Sequence, residues 1–317
     1  MPTVLAPAKL TVSLAMTGVR DDGLHLIDAE MVTLDWHDTL EIEPGAGVAG
    51  EAVEIVGPDG RLESADADNL VCRALVLAGR AARIRLHKRI PPGAGLGGGS
   101  ADAAAVLRWA GYDDLVGSAS IGADVPFCLV GGRARVRGIG EIVEPLPFEA
   151  RTYTLLTPPF GCSTPAVYAA WDRLGGPSGD HGNDLEPAAL AVEPELATWR
   201  DALEDATGLR PRLAGSGSTW FVEGAFPGAG RVVPRPFREP DPPPAVASDD
   251  AGGGSSAASS CASSCACACG ASLRVNPRGR NATGFRARSP LDRCRSGRGE
   301  TIGAGRRCEW CRAGPRR

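Results

Sequence analysis

Pro91-Pro92-Gly93-Ala94-Gly95-Leu96-Gly97-Gly98-Gly99-Ser100-Ala101 runs directly into an alanine-rich, helix-compatible segment, Asp102 to Trp109. Five glycines in the seven positions 93 to 99 remove Cβ atoms where a helix begins. Successive backbone N–H groups can then close around an anion, and the helix N-terminus adds its partial positive charge. The two prolines stiffen the way in, while Ser100 and the alanines favour a helix on the way out. The stretch therefore reads as a phosphate cradle, not as a flexible turn. No Gly-Lys-Ser/Thr follows the glycines, which excludes a Walker A loop, and no acidic ribose partner is evident on a following strand about 20 residues on, which excludes the usual dinucleotide-binding context.

Composition divides the chain near residue 225. Residues 1–225 carry 18 Lys and Arg against 31 Asp and Glu, whereas residues 226–317 carry 16 Arg, no Lys and 7 acids, so the overall charge of −4 conceals two different polymers. The first part has enough apolar residues for a two-domain core. The last 92 residues run through proline clusters, Gly-Gly-Gly-Ser-Ser and Ser/Ala/Cys repeats, which cannot offset the entropy of ordering them, and a disordered tail is expected. Arginine-rich and without lysine, it has the composition of a GC-rich gene translated out of frame. Its scattered arginines lack stacking aromatics, so no nucleic-acid partner is expected.

Seven of the ten cysteines (Cys261, Cys265, Cys267, Cys269, Cys294, Cys308 and Cys311) lie in that tail. Cys308-Glu-Trp-Cys311 has no second CxxC at finger spacing and no histidine follows His181, so structural zinc is not expected. Cys72, Cys128 and Cys162 suit a reduced compartment as small buried hydrophobes. With no signal-like N-terminus and no run of about 18 apolar residues, the expectation is a cytoplasmic protein without a membrane partner.

Val4 to Thr17 alternates as a half-buried strand, with Leu10, Val12, Leu14 and Met16 on one face and Lys9, Thr11 and Ser13 on the polar one. Lys9 and Lys88 are the only lysines against 32 arginines, which points to a specific need for an ammonium at position 9. Further β structure is predicted over Leu24–Asp35 and Thr39–Ile42, a helix over Leu70–Ala78, a strand over Arg83–Lys88, and strands within Gly132–Val143. Tyr153–Pro158 opens a second unit with a strand. Helices follow over Tyr168–Leu174 and Pro194–Thr207, and a second Gly/Ser turn, from Leu213, enters a strand at Phe221. On local sequence alone, Asp124 in Gly122-Ala123-Asp124-Val125-Pro126 is either a cap or a functional carboxylate, His25 is a surface or core histidine, and Tyr168 is a helix core residue.

Taken in order over about residues 5 to 224, these pieces resemble the GHMP kinase superfamily. The resemblance rests on Ala6-Pro7-Ala8-Lys9-Leu10, Gly18 to His25, Asp68-Asn69-Leu70, the glycine loop, Gly122 to Pro126, Ser163-Thr164-Pro165, Asn183 to Glu186 and Gly215 to Thr219. Within the superfamily, Asp22-Gly23-Leu24-His25 is similar to the branch whose acceptor is 4-diphosphocytidyl-2-C-methyl-D-erythritol. The resemblance implies an α+β fold of two domains, a ribosomal protein S5-like one over 1–150 and an incomplete ferredoxin-like one over 151–226, followed by the tail, 227–317. It implies ATP with Mg2+ and transfer of a phosphoryl group to the tertiary 2-hydroxyl of the acceptor, in non-mevalonate isoprenoid biosynthesis, with the metal ligands unassigned. Asp124 would accept the hydroxyl proton and Lys9 would stabilise the developing oxyanion. Asn69 and Pro91 through Ala101 would hold the nucleotide, and Thr11, His25, Thr164 and Tyr168 the acceptor. Three departures stand out: Leu24 where the family has Tyr, Thr11 where it has Asn, and a second domain that breaks off after Gly224. Only the residues Gly230 to Pro234 are left for a closing strand, so an inactive nucleotide-binding relative remains open; a homoserine- or mevalonate-type kinase is the other alternative, which a substrate panel would separate.

Overall fold

The computed structural model describes residues 1–45 and 53–237; the expectations for the tail beyond 237, its disorder and its cysteines, fall outside these residues. The expected α+β class is what forms, with two sheets. In chain order the first part comprises β1 (Thr3–Val19), β2 (His25–Pro44), β3 (Val53–Val56), β4 (Leu62–Ser64), α1 (Leu70–Leu77), β5 (Ala82–His87), α2 (Gly98–Ala110), α3 (Leu115–Ala119), α4 (Val125–Val130), β6 (Arg133–Gly138) and β7 (Ile142–Pro145). These strands make one sheet in which β2 pairs antiparallel with β1 along most of its length, with β6 through Ile27–Val32 and with β5 through Thr39–Pro44. β3 joins β5 in parallel.

The second part comprises β8 (Tyr153–Leu156), α5 (Thr164–Arg173), α6 (Glu186–Val192), α7 (Leu196–Thr207), β9 (Arg212–Leu213), β10 (Trp220–Glu223) and β11 (Arg231–Val232). Its sheet is antiparallel in the order β11-β8-β10-β9. The fold does not end at 226. β11 covers the free edge of β8, as Gly230–Pro234 allowed, and the Phe237 N–H then donates to Thr33 O at 2.8 Å and the Asp35 N–H to Arg235 O at 2.8 Å, tying the segment to β2.

The half-buried reading of the first strand needs correction. Residues 6–12 of β1 are buried on both faces, because α2 packs against the strand while the second sheet covers the other side. Ala8, Leu10 and Val12 join Tyr153, Leu155 and Phe221 in one cluster, and bulges after Pro7 and Thr11 break the simple alternation. Lys9 and Thr11, expected on a solvated face, are 5 % and 2 % exposed. A lysine is found at such depth only with partners. The alanines of α2 (Ala101, Ala103, Ala104 and Ala105) are buried, and their small side chains let the helix approach the strand closely.

Candidate active site

The glycine loop is shaped by where its carbonyls go. Gly93 O accepts from the Cys162 N–H at 3.1 Å and from the Ser218 N–H at 3.2 Å, Ala94 O from the Thr219 N–H at 3.1 Å, and Leu96 O from the Lys9 N–H at 3.0 Å. Those carbonyls are directed into protein, so they do not line the cleft beside an anion. Ala94 and Leu96, expected among the nucleotide residues, bury their side chains in the core between the sheets and leave only backbone to offer.

The glycines divide the work. Gly95 (φ +82°) lies so close to the Ala214–Gly217 turn that a Cβ would stand 2.2 Å from Ala214 O, and at Gly97 (φ +65°) a Cβ would meet Lys9 Cγ at 2.7 Å. Gly98 and Gly99, by contrast, are already helical. α2 thus begins four residues before the alanine run. Its N-cap, Gly97, has no side chain to cap the first turn, and the N–H groups of Gly98, Gly99 and Ser100 remain available at the positive end of the helix dipole.

Beneath the loop is a charged cluster that the sequence alone did not reveal. Asp38, fully buried, accepts from the Ile90 N–H at 2.9 Å, from the Arg89 N–H and from Lys88 Nζ. Lys88 Nζ also donates to Asp102 Oδ2 at 2.7 Å, so one ammonium ties the strand end before the loop to the helix after it. Burial raises the Asp102 carboxyl to about 7 against the opposing pull of Lys88. The available signals were the scarcity of lysine and a lone acid among alanines.

Lys9 rises from β1 past Gly97 to within 3.1 Å of Asp124 Oδ2, and its Nζ donates to Thr11 Oγ1 at 3.0 Å. Asp124 occupies the N-cap position of α4 without capping it, so its carboxylate is not spent on the helix. Both border a cleft of about 560 Å³ that is also lined by Thr11, His25, Ser100, Thr164, Tyr168 and Ser216. The structure therefore brings Lys9, Thr11, His25, Ser100, Asp124, Thr164 and Tyr168 to one cleft, although the chain separates them by up to 159 positions. Asn69 is not in its lining; its side chain accepts from the Val71 N–H at 2.9 Å and caps α1.

In the same cleft, Thr164 Oγ1 and Ser216 Oγ are 2.9 Å apart, and His25 packs on Tyr168 with ring centroids 4.9 Å apart. Burial, with help from the Asp124 carboxylate, pushes the Tyr168 phenol up to about 12 and keeps it neutral. The turn carrying Ser216 is held from behind. Asn183 Nδ2 donates to Leu213 O at 2.9 Å and to Gly215 O at 2.7 Å, and the Met16 N–H donates to Asp184 Oδ2 at 2.8 Å. Asn183 and Asp184 are thus struts between β1 and the turn. Cys72, Cys128 and Cys162 are buried free thiols, as expected, and burial raises all three away from the reactive thiolate.

Comparison with known proteins agrees with this geometry. Residues 69–132 match the family described as GHMP kinases N terminal domain. The 4-diphosphocytidyl-2-C-methyl-D-erythritol kinase of Paracoccus denitrificans is 42 % identical over 68 % of this chain and 84 % of its own length. Its counterpart from Ruegeria pomeroyi is 39 % identical over 71 % of this chain and 88 % of its own. A crystal structure of 4-(cytidine 5'-diphospho)-2C-methyl-D-erythritol kinase superposes with a TM-score of 0.55 at 34 % identity, over 69 % of this chain and 89 % of that one. The chain belongs to the GHMP kinases, and within them to the 4-diphosphocytidyl-2-C-methyl-D-erythritol kinase family.

Proposed function

We propose that this protein transfers the γ-phosphoryl group of ATP to the 2-hydroxyl of 4-diphosphocytidyl-2-C-methyl-D-erythritol, a step of non-mevalonate isoprenoid biosynthesis. The reading is carried by the Lys9–Asp124 pair, 3.1 Å apart, in a cleft that also receives Ser100 from the uncapped end of α2. Asp124 takes the proton of the acceptor hydroxyl. The freed oxygen bonds to the γ-phosphorus as the bond to the β–γ bridging oxygen breaks, and its electron pair leaves with ADP. Lys9 faces the charge that develops, and Thr11 orients its ammonium.

The loop N–H groups and the dipole of α2 bind the phosphates, with the backbone of Pro91 through Ala101 framing the nucleotide and Asn69 acting only through its cap on α1. Among the described residues, no group of three or more His, Cys, Asp or Glu side chains could hold a metal. Mg2+ bound with the nucleotide would neutralise phosphate charge, and the Ser100 hydroxyl at the start of α2 is the group in the cleft that would stand beside it. His25 and Tyr168 hold the cytosine and Thr164 the diphosphate side of the acceptor. We assign nucleotide binding and catalysis to residues 1–150, with acceptor contacts shared between Thr11 and His25 there and Thr164 and Tyr168 of the second part. We propose a cytoplasmic location; among the described residues no helix is long and apolar enough to cross a membrane.

The test is ATP-dependent turnover of the full chain with the cytidine diphosphate acceptor, homoserine and mevalonate, beside a variant ending at Phe237. Turnover of the first acceptor alone, by both proteins, is expected. Turnover of homoserine or mevalonate in its place would overturn the assignment.

A further inference from the structure

His25 stands at the start of β2, and three residues of α5 surround its ring. Tyr168, Trp171 and Asp172 are spaced i, i+3 and i+4 and so share one helix face. The Tyr168 ring centroid lies 4.9 Å from that of His25, and the Trp171 ring meets it edge-on at 5.7 Å. Trp171 is itself fixed, its Nε1–H donating to Pro177 O at 2.9 Å. Asp172 Oδ1 stands 2.8 Å from His25 Nε2. His25 lines the cleft, whereas Asp172 is not in its lining and is half exposed.

We propose that Asp172 is a positioning residue that sets the tautomer of His25 and thereby makes the site read cytosine in preference to uracil. This rests on the reading of the acceptor as a cytidine diphosphate. An ionised carboxylate only accepts, so the imidazole nitrogen beside it carries the proton. In the neutral ring, Nδ1 is then an acceptor and is held in one orientation by Tyr168 and Trp171. Cytosine carries an amine at position 4, a donor; uracil carries a carbonyl there, an acceptor. An Nδ1 lone pair facing that position bonds the first and opposes the second. Without Asp172 the ring is free to adopt the other tautomer, whose Nδ1–H suits the carbonyl equally. Because Asp172 is half exposed, its hydrogen bond with His25 adds little to the stability of the fold, and its effect falls on selectivity.

The experiment combines nitrogen NMR of the full chain, 15N-labelled in its four histidines, with kinetics on the cytidine and uridine forms of the acceptor. His25→Gln assigns the resonance. In the unaltered protein His25 should be protonated at Nε2 and bare at Nδ1, and in Asp172→Ala the two nitrogens should average. The same variant should raise KM for the cytidine acceptor about tenfold, the worth of one hydrogen bond, and narrow the cytidine-to-uridine preference by a similar factor. Its kcat and its KM for ATP should change by less than about threefold, which damage to the fold would not spare. A His25 signal unaltered in Asp172→Ala, or an unaltered base preference despite a freed tautomer, would overturn the proposal. If the unaltered protein turns over neither nucleoside form while Asp172 still controls the tautomer, the acceptor assignment has failed, and the base selectivity with it.

Discussion

Gly95 and Gly99 lie four residues apart in one glycine run, yet alanine at the two positions should have opposite effects. At Gly95 the backbone is left-handed, φ +82°, which costs an alanine about 1–2 kcal/mol. Its Cβ would stand 2.2 Å from Ala214 O and 2.9 Å from both the nitrogen and Cα of Gly217, all backbone atoms that no rotamer change can move aside. Relief requires the two loops to part, which strains the Thr219 N–H to Ala94 O bond and the Lys9 N–H to Leu96 O bond on either side, each worth about 1 kcal/mol. Gly95→Ala should therefore cost roughly 3 kcal/mol and lower Tm by about 6–12 °C for a domain of this size. At Gly99 the backbone is helical and the added carbon meets only Leu70 Cδ1, at 3.5 Å. Alanine there gains helix propensity of up to about 1 kcal/mol, so Tm should hold or rise. Differential scanning calorimetry of both variants decides the matter. Equal melting temperatures, or a Gly95→Ala protein within about 1 °C of the unaltered one, would show that the glycine loop is not clamped by the second Gly/Ser turn.

Replacing Asp124 by Asn should leave the Kd for ATP nearly unchanged and lower kcat by about 10² to 10⁴, the usual contribution of a general base; retention of more than about a third of the turnover at saturating substrates would remove Asp124 from that role. Asp102 titrates in the folded protein at about 7 against an ordinary 3.8. Between those values the folded state holds a proton that the unfolded state has released, so this group's contribution to stability is largest in acid and is lost as pH rises through the window. Thermal unfolding from about pH 5 to 8 should show that Asp102→Asn flattens this slope relative to the unaltered protein, and parallel slopes would refute the burial argument. Asn183→Ala strands the carbonyls of Leu213 and Gly215 and should destabilise the fold by about 2–3 kcal/mol, read as a lower urea midpoint; an unchanged midpoint would mean that the turn stands without its strut.

What could be read without coordinates was what local chemistry encodes. The glycine run before an alanine helix announced a tight loop entering an uncapped helix N-terminus, because missing Cβ atoms and helix-favouring residues act within a few positions of themselves. The rarity of lysine singled out Lys9, and the order of motifs indicated the kinase family; of the residues it singled out, Lys9, Thr11, His25, Ser100, Asp124, Thr164 and Tyr168 line one cleft and Asn69 does not. Other features depended on partners far away in the chain. Whether a given glycine must be glycine is decided at Gly95 by Ala214 and at Gly97 by the stem of Lys9. Both faces of β1 are buried because a second sheet, built from residues beyond 150, covers the side that periodicity assigned to solvent. The Asp38–Lys88–Asp102 cluster and the Asp172–His25 pair join carboxyl groups to nitrogen donors 14 to 147 positions distant. Residue type and spacing announce which groups can bond, but only tertiary packing excludes the water that would otherwise satisfy them, and so decides which of them do.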